Sequence, residues 1–262
     1  VELKEVIGLR RSVRYLDPTK PVERTKIQKM LEAARRASHW GNVQTLRAVV
    51  VERATASADV IENLEAYIGN FQMKVAPVVI VWYLDAEAVE HQPDRLREIV
   101  EARAMGIDLE QTRERLENLI IPFFEGLTDI LKSPGLSEVD CGQGIAQATL
   151  VAFEEGLGTC LLGSAKAAQL IDHLGLPSQA RILCLQTVGY PAEDVYRAGQ
   201  RPRLPFGELY KLNHFDDAFP RDPETVAELE DAGMIQFVGP DDMARRDTEL
   251  KELQERFDYP EM

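Results

Sequence analysis

Residues 77–84, Pro-Val-Val-Ile-Val-Trp-Tyr-Leu, are apolar almost without a break. A strand wetted on one side alternates apolar with polar residues, whereas a near-continuous run predicts a central strand buried on both faces. Residues 181–188 form a second strongly apolar strand, closed by Gly189-Tyr190-Pro191, and Leu46 to Val51 is a shorter β-branched one. Between the strands the spacing turns helical. A short helix covers Leu3 to Arg10. Thr25 is a candidate N-cap for a helix to about Ala37, with Ile27, Met30, Leu31 and Ala34 on one face. Ser57 or Asp59 opens another, with Ile61, Leu64 and Ile68 on one face. A long helix is expected from about Glu138 to Glu155, entered through a capping box of Ser137 with Asp140 and stopped by Gly156. Its first half carries Gly142, Gly144, Ala146 and Ala148, small enough for another backbone to approach closely. Its second half, Leu150 to Phe153, is apolar nearly all round, which predicts burial. Leu161 to Ser164 is a turn into a helix near Ala165 to His173.

Two segments interrupt this pattern. Residues 85–137 are rich in Glu and Arg, are broken by Gly106 and Pro122, and read as an inserted helical pair or cover. From residue 211 to 262 acidic residues dominate, which marks an extension wrapping a surface or a partner; a disordered acidic tail competes, but Met234 to Val238 is too apolar to be wholly exposed. The body is therefore expected over residues 1–210. A chain of 262 residues has the length of one large domain or two small ones, with enough core to fold without disulfides or metal. Its net charge of −14 argues against a general nucleic-acid binder and against binding to anionic membranes. No stretch approaches the length of a membrane helix, and Glu2, Lys4 and Glu5 interrupt any leader-like run, so no signal peptide is expected. Cys141, Cys160 and Cys184 are odd in number and lack a C-x-x-C pair, so neither a zinc site nor a disulfide framework is expected. Buried thiols in a reducing, cytoplasmic setting fit better.

Four segments carry candidate chemistry. Arg10-Arg11-Ser12-Val13-Arg14 places three guanidinium groups and a hydroxyl together in an acidic chain. Their fork geometry suits phosphate, although ion pairs on a surface would use them equally well. Arg201-Pro202-Arg203 is a second basic knot, stiffened by its proline, and two such knots could converge on one dianion. Ser38-His39-Trp40-Gly41-Asn42-Val43-Gln44 offers polar groups, a ring and a glycine after an amphipathic helix; alone, His39 reads equally as a helix C-terminal residue and Trp40 as a core anchor. Gly156 to Ser164 is glycine-rich and precedes a helix, but it is neither a P-loop nor a complete G-x-G-x-x-G.

In this order and spacing the four segments resemble the FMN-dependent nitroreductase family. Arg10 to Tyr15 matches its R-R-S-x-R-x-[FY] signature, and Asn42 and Gln44 match the loop after its second helix. Asp140 to Gly163 matches the long interface helix and G-L-G-T-x-x-x-G turn, Leu185 to Pro191 the strand ending in G-Y-P, and Arg201 and Arg203 the late basic pair. Ser38, His39, Thr45 and Leu46 depart from the usual residues. The resemblance covers roughly residues 4–84 and 138–210 and leaves out the insertion and the extension.

The resemblance implies an α+β three-layer sandwich, a central mostly antiparallel sheet flanked by helices, assembled as an intertwined homodimer with FMN at the interface. It implies that Arg10, Arg11, Ser12, Arg201 and Arg203 hold the phosphate and ribitol, with Arg14 at the N1 and O2 edge. His39, Trp40 and Asn42 would line the ring from the partner subunit, and the Leu162 and Gly163 backbone would face N5. Asn70 and Gln72 are candidates for the pyrimidine edge. Hydride from NADH or NADPH would pass through the flavin to a nitroaromatic, a quinone or a similar flat electrophile, with ping-pong kinetics. Tyr67, Phe71, Phe123 and Phe124 are candidates to stack on that acceptor, with ordinary helix packing as the other reading. Reductive dehalogenation, ene reduction, flavin-fragmenting oxidation and a non-catalytic flavin-binding role are the alternatives.

Overall fold

The computed structural model describes residues 2–196, 199–237 and 239–257. Four strands, β1 (Leu46–Glu52), β2 (Val78–Leu84), β3 (Gly158–Leu162) and β4 (Arg181–Gly189), form one sheet in the order β1-β2-β4-β3. All three pairings are antiparallel. Helices α1 (Leu3–Leu9) and α2 (Arg24–Arg35) precede the sheet, and α3 (Ala58–Asn63) and α4 (Asn70–Val75) lie between β1 and β2. The segment after β2 holds α5 (Gln92–Glu101), α6 (Leu109–Arg115), α7 (Ile121–Glu125) and α8 (Thr128–Lys132). Then come α9 (Leu136–Glu154), α10 (Ala167–His173) between β3 and β4, and finally α11 (Phe206–Leu209), α12 (Pro223–Asp231) and α13 (Pro240–Phe257). Among the described residues, no helix is long and apolar enough to cross a membrane.

The apolar run of β2 sits between two cores, as a doubly buried strand must. Val78, Ile80 and Trp82 pack with Ile27, Met30 and Ala34 of α2 and Ile145, Ala148 and Ala152 of α9. Val79 and Val81 face the other way, onto Val60, Met73 and Leu170 from α3, α4 and α10. The result is the expected α+β sandwich of helices, sheet and helices. One polar chain crosses the first core: the Trp82 indole donates to Gln186 (2.8 Å), and the Gln186 amide donates to Thr149 on α9 (3.0 Å). Each buried polar group there has a partner, which is the condition for its being tolerated.

Several boundaries differ from the sequence expectation. Thr25 lies inside α2, whose N-cap is Glu23; that carboxylate makes no cap bond and instead accepts from the Tyr190 hydroxyl (2.6 Å). Ser57 does cap α3, but the helix stops at Asn63, because the chain must turn to bring Ala66 into a bridge with Ser164. Ile68 is consequently exposed. The expected Ser137–Asp140 box is absent. Glu138 accepts from the Gly135 N–H (2.7 Å), the Ser137 hydroxyl donates to the Leu131 carbonyl (2.8 Å), and Asp140 serves another element. Gly144 does admit a neighbouring chain, since a Cβ there would lie 2.5 Å from Leu46 and 3.1 Å from the Ala34 carbonyl. Gly142, Gln143, Ala146 and Gln147 remain exposed, so α9 keeps one open face rather than being buried all round.

The insertion is a 3₁₀ helix, Ala86–His91, four α-helices and a π-turn, Leu116–Ile120, rather than a pair. Leu96, Val100, Leu116 and Ile121 give it its own small core, and Arg97–Glu117 and Arg113–Glu101 pairs (both 2.7 Å) staple its helices from outside. The extension folds back on its own body. Leu253 of α13 packs with Tyr15 and Phe71, Arg246 pairs with Glu193 and Glu249, and Lys4 of α1 pairs with Glu228 of α12. Gly8 allows the closest contact, because a Cβ there would lie 2.0 Å from the Gly233 carbonyl oxygen. Met234 and Ile235 join this packing beside the cleft described below, while Val238 falls outside the described residues.

Candidate functional site

After α1 the chain runs as an extended strap beside β3. The Val13 N–H donates to the Thr159 carbonyl (2.9 Å), and Ser12 bridges the same residue. Gly158 makes the approach possible, since a Cβ there would meet Val13 at 2.7 Å. Both the Arg14 and Tyr15 N–H groups donate to one oxygen of buried Glu193 (2.9 and 3.2 Å). Arg246 of α13 takes the other oxygen. Glu193 escaped the sequence reading; its one signal is its place just after the Gly-Tyr-Pro turn.

The two basic knots, almost 200 residues apart, do converge. Gln200 donates to the Gly8 carbonyl (2.8 Å) and the Met234 carbonyl (2.9 Å), which docks the segment carrying Arg201 and Arg203 against the end of α1. Arg10, Arg11, Ser12, Arg201 and Arg203 line one cleft of ≈ 980 Å³. Among the described residues, none of these four arginines pairs with a carboxylate. Burial and the neighbouring Arg203 both push the pKa of Arg10 down. Arg11 donates from Nε to the Leu9 carbonyl (3.2 Å), but its Nη1 and Nη2 are buried with no hydrogen-bond partner among the described residues. A buried donor left unsatisfied costs stability, and a charged one costs more. An anion in the cleft removes that cost, so the donor set fits a phosphate group.

The other predicted residues form two separate clusters. Leu162 and Gly163 end β3, where the Gly163 carbonyl accepts from the Tyr67 N–H (3.2 Å). Gly163 also makes room for the Tyr67 ring, which a Cβ would meet at 2.9 Å. That ring is exposed, and beside this turn Ser164 Oγ and Gln72 Oε1 are buried without partners among the described residues. Asn70 is already used: its side-chain oxygen accepts from the Ala66 N–H (2.7 Å) and holds the turn. Phe71 points elsewhere, to Tyr15 (ring centroids 5.9 Å apart) and the α13 cluster.

His39, Trp40 and Asn42 share a strained loop. Gly41, Asn42 and Gln44 all have left-handed backbones (φ 55°, 54° and 53°), a cluster that persists only when its surroundings hold it. They do hold it. Asp140 of α9 accepts from the Trp40 N–H (2.6 Å), Gln92 of α5 donates to the Gly41 carbonyl (3.2 Å), and Asn42 donates to the Arg95 carbonyl (3.3 Å). The Phe124 ring packs on Trp40 (5.0 Å), with Phe123 edge-on behind it (5.5 Å). Phe123 and Phe124 thus belong with the loop. Asp140 and Gln92 were not read as site residues, for their partners are 100 and 51 positions away. Burial pushes the His39 pKa down, and its Nδ1 lacks a partner among the described residues.

Sheet register measures how far apart these clusters lie. The loop enters β1 at Leu46, which aligns through Leu84 with Arg181. Ser12 pairs with Thr159, which aligns with Val188, Val78 and Glu52 at the opposite end. Within one chain, the arginine cleft and the His39 loop therefore lie at opposite ends of the sheet.

The fold is an antiparallel sheet between two helical layers, with an arginine-lined cleft at one sheet end. The sequence profile of the Nitroreductase family matches residues 7–112 and 131–190. An NADH dehydrogenase of Thermus thermophilus is 31% identical over 195 residues, covering 74% of this chain and 88% of that protein. A protein of Exiguobacterium sibiricum described as a nitroreductase, solved in complex with FMN, superposes with a TM-score of 0.68 at 22% identity, covering 81% of this chain and 98% of that one. A Staphylococcus epidermidis protein described as an NAD(P)H:FMN oxidoreductase superposes with a TM-score of 0.66 at 21% identity, covering 80% and 95%. This chain belongs to the nitroreductase family.

Proposed function

We propose that the protein is an FMN-dependent NAD(P)H oxidoreductase that works as a homodimer on a flat electrophile such as a nitroaromatic or a quinone. The observation that carries this reading is the convergence of Arg10, Arg11, Ser12, Arg201 and Arg203 on one cleft, with Nη1 and Nη2 of Arg11 lacking partners among the described residues. Bound FMN supplies two-electron hydride chemistry, taking hydride from the nicotinamide and passing it to the acceptor in turn. The protein supplies position and charge. Arg10, Arg11, Ser12, Arg201 and Arg203 hold the phosphate and ribitol. Arg14, fixed through its backbone by Glu193, keeps a cation at the ring edge. The β3 terminus at Leu162 and Gly163 presents backbone to the ring.

His39, Trp40 and Asn42 reach the same ring from a second copy, which the opposite-end placement requires if all are to share one site. Burial keeps His39 below its usual pKa, so the imidazole is neutral near pH 7 and acts as a hydrogen-bonding wall. Tyr67, Phe123 and Phe124 offer aromatic faces to the acceptor, whereas Phe71 packs under α13 and is withdrawn from that role.

The test is the visible spectrum of the purified protein, followed by anaerobic addition of NADH and of NADPH. A yellow protein that bleaches with either nucleotide, and recovers its colour with a quinone, is the expected result. A colourless protein that takes up no added flavin overturns the reading.

A further inference from the structure

Buried Glu193 carries three donors on its two oxygens. The Arg14 and Tyr15 N–H groups share Oε1 (2.9 and 3.2 Å), and the Arg246 guanidinium takes Oε2. Arg246 is itself fixed on α13. Its Nη1 pairs with Glu249 (3.0 Å), and its guanidinium lies 6.0 Å from the centroid of the Tyr15 ring. The Asp194 N–H donates to the same Glu249, and Leu253 of α13 packs with Tyr15. The extension thus meets the strap through both charge and packing. Glu193 and Arg246 both lie outside residues 7–112 and 131–190, the part that the family profile matches.

Arg11 stands on the same strap with an unmet need. Its Nη1 and Nη2 are buried and have no hydrogen-bond partner among the described residues. Burial pushes its pKa down; among its charged neighbours Glu193 pulls it back up most strongly, and Arg246 acts in the opposite sense. A buried charge of either sign is costly unless it is paired. Arg11 and Glu193 could satisfy each other, and what keeps them apart is that the carboxylate is already saturated. Without the Arg246 guanidinium, Oε2 loses its donor, and a turn toward Arg11 would serve both groups at once. An entering phosphate would then have to displace a carboxylate of the same chain.

We propose that Arg246 is a positioning residue for the phosphate site. By holding the second oxygen of Glu193 it keeps that carboxylate from pairing with Arg11, so α13 sets how tightly the cleft holds the FMN phosphate. The inference rests on the flavin reading above and extends it.

The test uses the full chain, freed of flavin and titrated with FMN and with riboflavin while flavin fluorescence is followed. Arg246→Met keeps an aliphatic stem and removes the charge. It is expected to weaken FMN about ten-fold or more, the scale of one charge-assisted contact, and riboflavin far less. Adding Glu193→Gln to it removes the competing carboxylate and should restore most of the FMN affinity. Glu193→Gln alone should leave the ratio of FMN to riboflavin affinity at or above that of the parent, which keeps the proposal testable should Arg246→Met fail to fold. An unchanged ratio in Arg246→Met overturns the proposal and leaves the flavin reading standing. Equal loss of both flavins, or a loss that Glu193→Gln does not reverse, makes Arg246 a packing residue and also overturns it. So does a selective loss of FMN in Glu193→Gln alone. Failure of the parent to take up any flavin overturns the flavin reading itself.

Discussion

Arg11 holds two buried guanidinium nitrogens without partners among the described residues, although Glu193 lies near enough to influence its charge. Glu193 cannot serve it, because one oxygen accepts from the Arg14 and Tyr15 backbones and the other pairs with Arg246. Arg246 thus keeps the carboxylate occupied and leaves Arg11 free for an exogenous anion. Replacing Arg10 and Arg203 together by alanine should abolish tight FMN binding, each lost charge-assisted contact costing about 1.5–3 kcal/mol. Riboflavin, which keeps the ribityl chain but lacks the phosphate, should lose far less affinity in the double variant than FMN does. Equal FMN affinities in variant and parent would remove these residues from the phosphate site. The cysteines carry no such role: burial pushes Cys141 up to about 11 and Cys184 to about 12, so both are neutral thiols at physiological pH.

Gly8 decides how the extension meets the body. A methyl group there would sit 2.0 Å from the Gly233 carbonyl oxygen and 2.7 Å from the Met234 Cα, both backbone atoms with little freedom to yield. Gly8→Ala should push residues 233–234 off α1, break the Gln200 bridge, and destabilise the protein by about 1–3 kcal/mol, the usual cost of overpacking. Amide exchange across α12 should accelerate; unchanged exchange and an unchanged melting temperature would show that the contact is dispensable. Nothing in the local sequence marks Gly8, because its partner lies 225 positions away. What was legible came from strong local pattern. The doubly buried β2, the strand ending at Gly189 and the stop of α9 at Gly156 follow from unbroken apolar runs and a left-handed glycine (φ 77°). The insertion was not legible in detail, since ion pairs between distant Arg and Glu and a π-turn set its shape. Likewise the Leu64 and Ile68 spacing read as helix only because the bridge from Ala66 to Ser164 is invisible in one dimension. At the site, the arginine knots were legible as a set, whereas Glu193, Asp140 and Gln92 act through contacts that only the folded chain reveals.

The whole molecule poses a problem that neither residue nor element answers. Its arginine cleft and its His39 loop lie at opposite ends of one sheet, and α9 keeps a face of Gly142, Gln143, Ala146 and Gln147 open. Two copies packed across that face would bring the cleft of each to the loop of the other. Complementation tests this directly. An Arg10→Ala/Arg203→Ala chain and an Asn42→Ala chain should each be inactive alone. Mixed by unfolding and refolding, they should recover activity, because one site of every heterodimer is built entirely from unaltered residues. No recovery would mean that each chain carries a self-sufficient site. The same separation has a consequence in time and concentration. If half of every site arrives on another molecule, activity follows collision as well as folding. A newly made chain at low abundance would be silent, output would climb with roughly the square of subunit concentration until association saturates, and simple dilution would be a way of switching the protein off.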